Sequence, residues 1–411
     1  MSDLQVAGGI FYVGKIDDRE ISFHRTPLKK GTTYNSYLLL TEKPTVIDTV
    51  DPTFGKEFVD NLSKFTDPAG IRYIISSHVE PDHSGAIPAL AARAKNAQIV
   101  CTEKAKPILQ DMFRLHNREF LVVKDGDSLD IGGKTLRFLE TPYIHTEETM
   151  MTYDEKEGIL FPCDGFSSFI AAHEVFNDKT DINYDEDFEE YYKAIMAPHR
   201  PYIRKMLDKV KPLPIHIIAP SHGYVHRKDP DKYIEFYDKW SSPKAAGKEK
   251  NILIIYSSMT GNTGKIAERI AKGMAELDIT PEIINIKNAD TGSLKSKIRE
   301  SDGILVGSST KYGDLVGDIE AFIQSLQGGD FKNKFAAAFG SYGWSGEAIA
   351  HLDEQLEALG FKMINHRYLV KNLGRSEPIL PLRVKFNREE DAALAEEAGR
   401  VFAEQVLSFT Q

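Results

Sequence analysis

Cysteine is nearly absent from this 411-residue chain: there are two, Cys101 and Cys163, and no C-x-x-C pair. That count excludes a disulfide framework, a cysteine-rich zinc site and a built-in thiolate-ligated iron module. Both cysteines sit in apolar runs, the context of buried, inert thiols. Long hydrophobic runs are missing too. Nothing approaches the ~20 apolar residues that span a bilayer, and residues 1–9 lack the charged-then-apolar layout of a signal peptide. The expected location is the cytoplasm, with no membrane partner. Positive charge is in deficit, 51 Lys and Arg against 61 Asp and Glu, for a net charge of −10. This excludes nucleic acid as a general partner. Neither a Walker loop nor a G-x-G-x-x-G fingerprint follows any strand-like run.

What is present centres on His78-Val79-Glu80-Pro81-Asp82-His83, a stretch with four N or O donors to metals. It follows Ile71-Arg72-Tyr73-Ile74-Ile75, short and β-rich enough to be a buried strand. Pro81 and Ser84-Gly85 predict an irregular loop there. Three more donors follow apolar strands: His145 after Leu136–Leu139, Asp164 after Ile159–Phe161, and His222 after Ile217–Ala219. Four His and three carboxylates, divided between two ions with one carboxylate shared, give each ion two imidazoles and a terminal carboxylate. That set suits oxygen-handling non-haem iron.

Around these ligands, strands lie on both sides of interposed helices, which predicts a sheet sandwich with helices packed outside. A helix is expected over 54–65, another over 104–115, and a long one over 187–210, broken near Pro198. Ser241 to Lys250 is small, charged and turn-rich, the composition of a linker. Beyond it, strands at 251–256, 281–286, 303–307, 335–339 and 361–368 alternate with helices, which predicts a doubly wound parallel sheet of five strands. The domains are thus expected at 1–242 and 251–411, with 243–250 between them.

The first strand of the second half runs into Ser258-Met259-Thr260-Gly261-Asn262-Thr263 and then directly into a helix. Hydroxyls and backbone N–H groups at such a helix start form a phosphate cradle. Two later strand ends, Ser309-Thr310-Lys311-Tyr312-Gly313 and Ser341-Tyr342-Gly343-Trp344-Ser345-Gly346, supply glycines and aromatics suited to a flat ring.

The ligand pattern His78-x-Glu80-x-Asp82-His83, His145, Asp164 and Pro220-Ser221-His222-Gly223 resembles the metallo-β-lactamase-like superfamily. Glu80 in place of that group's usual second histidine, with Gly31 to Tyr37 upstream, is similar to the flavodiiron proteins, and the resemblance covers essentially the whole chain. It implies a metallo-β-lactamase-like αββα sandwich followed by a flavodoxin-like domain that binds FMN through the three loops above. It also implies two irons: His78, Glu80 and His145 on one, Asp82, His83 and His222 on the other, and Asp164 bridging. His24 and Tyr192 match residues lining the open face of the pocket in relatives. The family commonly follows the third histidine with Trp-Pro-Asp-Ser; this chain has Thr146-Glu147-Glu148-Thr149.

The resemblance implies reduction of O2 to water, of NO to N2O, or both. With no cysteine-rich module, electrons are expected from a separate rubredoxin or an NAD(P)H-dependent reductase. A head-to-tail homodimer, or a dimer of dimers, is expected to bring flavin and iron together. The rival reading is a zinc hydrolase with an accessory flavodoxin domain. Zinc carries no redox chemistry, so in that reading the flavin loops would be idle.

Overall fold

The computed structural model describes residues 2–23, 26–242, 250–343, 345–375, 377–385 and 388–408. His24, Trp344 and all of the expected linker except Lys250 lie outside them. The chain forms two compact units, Met1–Ser242 and Pro243–Gln411.

In the first unit, Gln5–Ala7, Ile10–Tyr12, Tyr37–Leu39, Thr45–Ile47, Tyr73–Ile75, Gln98–Thr102 and Phe120–Val123 form one sheet in that spatial order. Ser128–Asp130, Thr135–Glu140, Met150–Asp154, Ile159–Phe161 and Ile217–Ile218 form the other. Strand side chains alternate between faces, and here both faces are apolar. Leu39, Ile47, Ile75 and Val100 meet Phe138, Met150, Ile159 and Phe161 between the sheets. Their neighbours Leu38, Val46, Ile74, Ile99 and Cys101 point the other way, onto Phe58, Leu62, Leu90 and Leu109 of the helices outside. On the second sheet Leu139, Met151, Tyr153 and Leu160 likewise face Phe188, Ile203, Met206 and Tyr237. The result is the αββα sandwich.

Several elements differ from expectation. Pro81–Ser84 is a single helical turn and not an irregular loop; Pro81 sits at its first position, where a missing N–H costs nothing. The helix expected over 187–210 runs Asp185–Tyr191, slips through a π turn at Tyr192–Met196 and a 3-10 turn at Ala197–His199, and resumes at Arg200–Val210. A helix at Pro230–Ser241, not expected, covers the second sheet with Tyr233 and Tyr237.

The second unit is an all-parallel sheet in the order Glu282–Asn285, Ile252–Ser257, Gly303–Ser309, Phe335–Ser341. The fifth position is shared by two short strands, Lys362–Met363 and Leu382–Val384, both paired to Phe335–Ser341. The strand expected over 361–368 therefore stops early. Asn365 accepts a hydrogen bond from the Tyr368 N–H at 3.1 Å and starts the helix His366–Leu373. The connections reverse direction between Ile252–Ser257 and Gly303–Ser309, which places a ligand crevice at their carboxyl ends.

Two helices of this unit, Asn262–Ala275 and Glu389–Ser408, touch backbone to backbone through glycine. A Cβ on Gly273 would lie 1.8 Å from the Glu396 carbonyl oxygen, and one on Gly399 would lie 2.0 Å from that of Ile270. Gly399→Val must push the helices apart. It is predicted to destabilise this unit by about 3 kcal/mol, measured as a shift of its urea transition with that of the sandwich unchanged.

Candidate functional site

The sandwich delivers its metal-ligand candidates from the ends of strands in both sheets. His78 to His83 follow Tyr73–Ile75, His145 follows Thr135–Glu140, Asp164 follows Ile159–Phe161, and His222 follows Ile217–Ile218. They converge on Asp164, which is buried. Its Oδ2 faces His145 Nε2 at 3.4 Å and His78 Nε2 at 3.9 Å, while Glu80 Oε2 lies 3.8 Å from the His145 nitrogen and 3.5 Å from the His78 nitrogen. Its Oδ1 faces His83 Nε2 at 3.4 Å and His222 Nε2 at 3.3 Å, with Asp82 Oδ2 3.3 Å from each. Seven side chains thus form two groups that share one carboxylate. Bonds of ~2.1 Å to a tetrahedral ion put donors about 3.4 Å apart, so these separations fit one ion per group. His78 Nε2, Asp82 Oδ2 and Asp164 Oδ2 are buried and make no hydrogen bond among the described residues. Buried polar atoms are rarely left so, and cations would satisfy all three.

A second layer fixes which imidazole nitrogen faces inward. His78 Nδ1 lies 2.6 Å from Glu148 Oε1, which also accepts from the Thr146 hydroxyl at 2.9 Å and the Val79 N–H at 3.3 Å. His222 Nδ1 donates to the Thr33 carbonyl at 2.6 Å, and His83 Nδ1 lies 3.6 Å from Cys163 Sγ. With each Nδ1 engaged outward, Nε2 is presented as the ligand atom. The Tyr191 hydroxyl donates to Asp164 Oδ1 at 2.9 Å.

The electrostatics follow from this packing. Burial alone would raise the Asp164 carboxyl, but His83, His145 and His222 hold it well below its ordinary value. Burial would lower the histidines. The Asp164 and Asp82 carboxylates nevertheless lift His222 to about 9 and His83 well above its usual range, and Glu148 with Glu80 does the same for His78. Asp48, whose carboxylate lies near His83 and Cys163 and accepts from the Ser77 N–H at 2.7 Å, is pushed up to about 6 by burial.

In the second unit the three expected loops are tied by hydroxyls. Thr263 Oγ1 lies 2.9 Å from Ser309 Oγ and 3.0 Å from Ser341 Oγ, so it joins the loops instead of pointing outward as a phosphate contact. The Met259 N–H reaches Ser309 Oγ at 3.3 Å, and the Gly261 N–H reaches Ser258 Oγ at 2.9 Å. Gly261 has φ +85° and nothing within 4 Å of an added Cβ, which leaves open space over the start of the helix at Asn262. Thr310 Oγ1 is buried with no hydrogen bond among the described residues. It is a buried polar atom of this cradle that a ligand could satisfy. Lys311, Gly313, Tyr342, Gly343, Ser345 and Gly346 lie on the two further loops as expected, and Tyr312 is 94% exposed.

Tyr192 is not brought to the ligands. It packs against Tyr237 and Trp240, with ring centroids 5.0 Å away in each case. Its neighbour Tyr191 faces Asp164 because the regular helix ends there and the π turn begins at Tyr192. Also missed from sequence were Glu148, the carboxylate on His78, and His199, a buried ring 6.3 Å from His145. Burial, and then His145, lower His199 to about 3, so it is neutral at ordinary pH.

A β-lactamase-like sandwich carrying two ligand groups, joined to a flavodoxin-like sheet, is the class that fold and site define. A family model described as ODP family beta lactamase matches residues 32–223, and the flavodoxin model matches residues 254–398. The anaerobic nitric oxide reductase flavorubredoxin of Escherichia coli is 37% identical over 409 residues, 97% of this chain and 82% of that protein. Two solved structures are similar over nearly the full length. The flavodiiron protein of Giardia intestinalis is 26% identical, with TM-score 0.58 and 98% and 96% of the two chains covered. The rubredoxin oxygen:oxidoreductase of Desulfovibrio gigas is 27% identical, with TM-score 0.56 and 98% of each chain covered. The chain belongs to the flavodiiron protein family.

Two predictions follow from the geometry. A histidine whose folded pKa is raised stabilises the protein below its unfolded pKa, and that stability is lost as pH rises through the folded value. Chelator-treated protein should therefore lose thermal stability between pH 6.5 and about 9, the range set by His222, in Tm measured across pH. In the second unit, Thr263→Val removes the hydroxyl joining three loops. It should weaken FMN binding by about tenfold, the effect of one or two hydrogen bonds, read by flavin fluorescence titration.

Proposed function

We propose that this chain is a flavodiiron oxidoreductase that reduces O2 to water, NO to N2O, or both, with electrons from an external donor. The observation that carries this reading is the division of Asp164: one oxygen faces His78, Glu80 and His145, the other Asp82, His83 and His222. In this reading the first group would hold one iron and the second another, with Asp164 offering one oxygen to each group. The loops at Ser258–Thr263, Ser309–Gly313 and Ser341–Gly346 would hold FMN. Two-electron-reduced FMN and a diferrous pair would together supply the four electrons that, with four protons, take O2 to two waters.

The protein's own groups have definable parts. Glu148 and the Thr33 carbonyl hold His78 and His222 in the tautomer that turns Nε2 inward. Tyr191 places a hydroxyl on Asp164 Oδ1 and fixes the shared carboxylate. The Glu80 and His145 side chains are the most exposed of the seven, at 30% and 13% against 10% for Asp82 and 2% or less for the others, and in this reading substrate enters on their side. The E. coli relative is named for nitric oxide and the D. gigas protein for oxygen, and both substrates remain in this proposal. A rubredoxin or an NAD(P)H-dependent reductase is the proposed donor, and a head-to-tail homodimer, or a dimer of dimers, the proposed assembly.

Iron-loaded protein with a reduced donor is predicted to consume O2 with no oxygen returned by catalase, to form N2O from NO under anaerobic conditions, or to do both. Protein that binds zinc, stays colourless and does neither would instead support the hydrolase. Asp164→Ala should lose metal from both groups, measured by elemental analysis; retention of one full equivalent would remove the bridging role.

A further inference from the structure

His199 takes no part in the ligand arrangement or in the hydrogen bonds that support it. It is 2% exposed, and its Nδ1 is buried with no hydrogen bond among the described residues. An apolar ring of similar size would fill the same space without leaving a polar atom unmatched. Its position is specific. The helix is interrupted by the π turn Tyr192–Met196 and the 3-10 turn Ala197–His199, which His199 ends, and such interruptions recur at functional sites. Its ring lies 6.3 Å from that of His145. His145 and Glu80 are the open members of the cluster, with side chains 13% and 30% exposed against 0% for His78, 2% for His83 and Asp164, and 10% for Asp82. The unmatched imidazole thus sits beside His145, one of the two most exposed of the seven candidate ligands.

We propose that His199 is a substrate-binding residue, its imidazole donating a hydrogen bond to the small diatomic or anionic ligand that enters on the Glu80–His145 side. This rests on the metal reading above. A neutral imidazole carries one N–H and one acceptor nitrogen, and the ligand would satisfy the donor that the protein does not. The class of ligand follows from the setting: small, because the site is buried, and hydrogen-bond accepting, because the group offered is an N–H beside cation-binding residues.

The test uses azide as a small-anion probe on the full-length, iron-loaded protein, followed by absorption, with His199→Phe and His199→Gln as variants. The wild type should bind azide. His199→Phe should bind it about tenfold more weakly, the loss of one hydrogen bond to a charged group, at unchanged iron content, and His199→Gln should recover part of the loss by restoring a donor. Chelator-treated His199→Phe should melt no lower than the wild type, because the unmatched nitrogen is gone. Equal azide affinity in wild type and His199→Phe would overturn the proposal. So would equal weakening in both variants together with lower melting temperatures, which marks a packing role. Wild-type protein that holds iron in neither group would fail the metal reading itself, a separate result that removes this proposal with it.

Discussion

One buried carboxylate organises the first unit. Asp164 cannot be ionised in an apolar interior without compensation, because an unpaired buried charge costs several kcal/mol. Four imidazoles lie within 3.9 Å of its two oxygens, and Tyr191 adds a hydroxyl. The same need runs outward: each imidazole that faces Asp164 through Nε2 must engage Nδ1 elsewhere. Glu148, Thr33 and Cys163 meet that need for His78, His222 and His83. The strands matter because they fix the starting point of every one of these loops. A shift of one residue in any of them would turn a ligand into the core and a core residue into the site.

The second unit solves a gentler problem. Its loops carry hydroxyls and glycines at strand ends, and the Thr263–Ser309–Ser341 contacts hold three of them in one mutual position. Met259, 51% exposed, and Tyr312, 94% exposed, stand beside these loops. Preorganisation of this kind lowers the ordering cost of binding, which suits a resident flavin more than a passing substrate.

The seven candidate donors were legible in the sequence because His, Glu and Asp recur together after several apolar strands, which no single one of them would signal. Periodicity likewise showed the alternation of strands and helices in both units. Other features were not legible. The π turn at Tyr192–Met196 depends on tertiary packing and not on local propensity, so the exchange of Tyr192 for Tyr191 at Asp164 leaves no trace in the spacing. Glu148 stands 70 residues from His78, a pairing set only by register between strands. Thr263 shows a phosphate-loop hydroxyl, and only the fold turns it toward Ser309 and Ser341. The edge strand at Lys362–Met363 ended early because Asn365 caps a helix, a stop signal outweighed by the apolar run before it.

The central claim is that two iron ions lie on opposite oxygens of Asp164. The most direct measurement is anomalous X-ray scattering at the iron absorption edge from crystals of the iron-loaded protein. The account predicts two peaks about 3.5–4 Å apart, one among His78, Glu80 and His145 and one among Asp82, His83 and His222. A single peak, or density that scatters at the zinc edge and not at the iron edge, would contradict it.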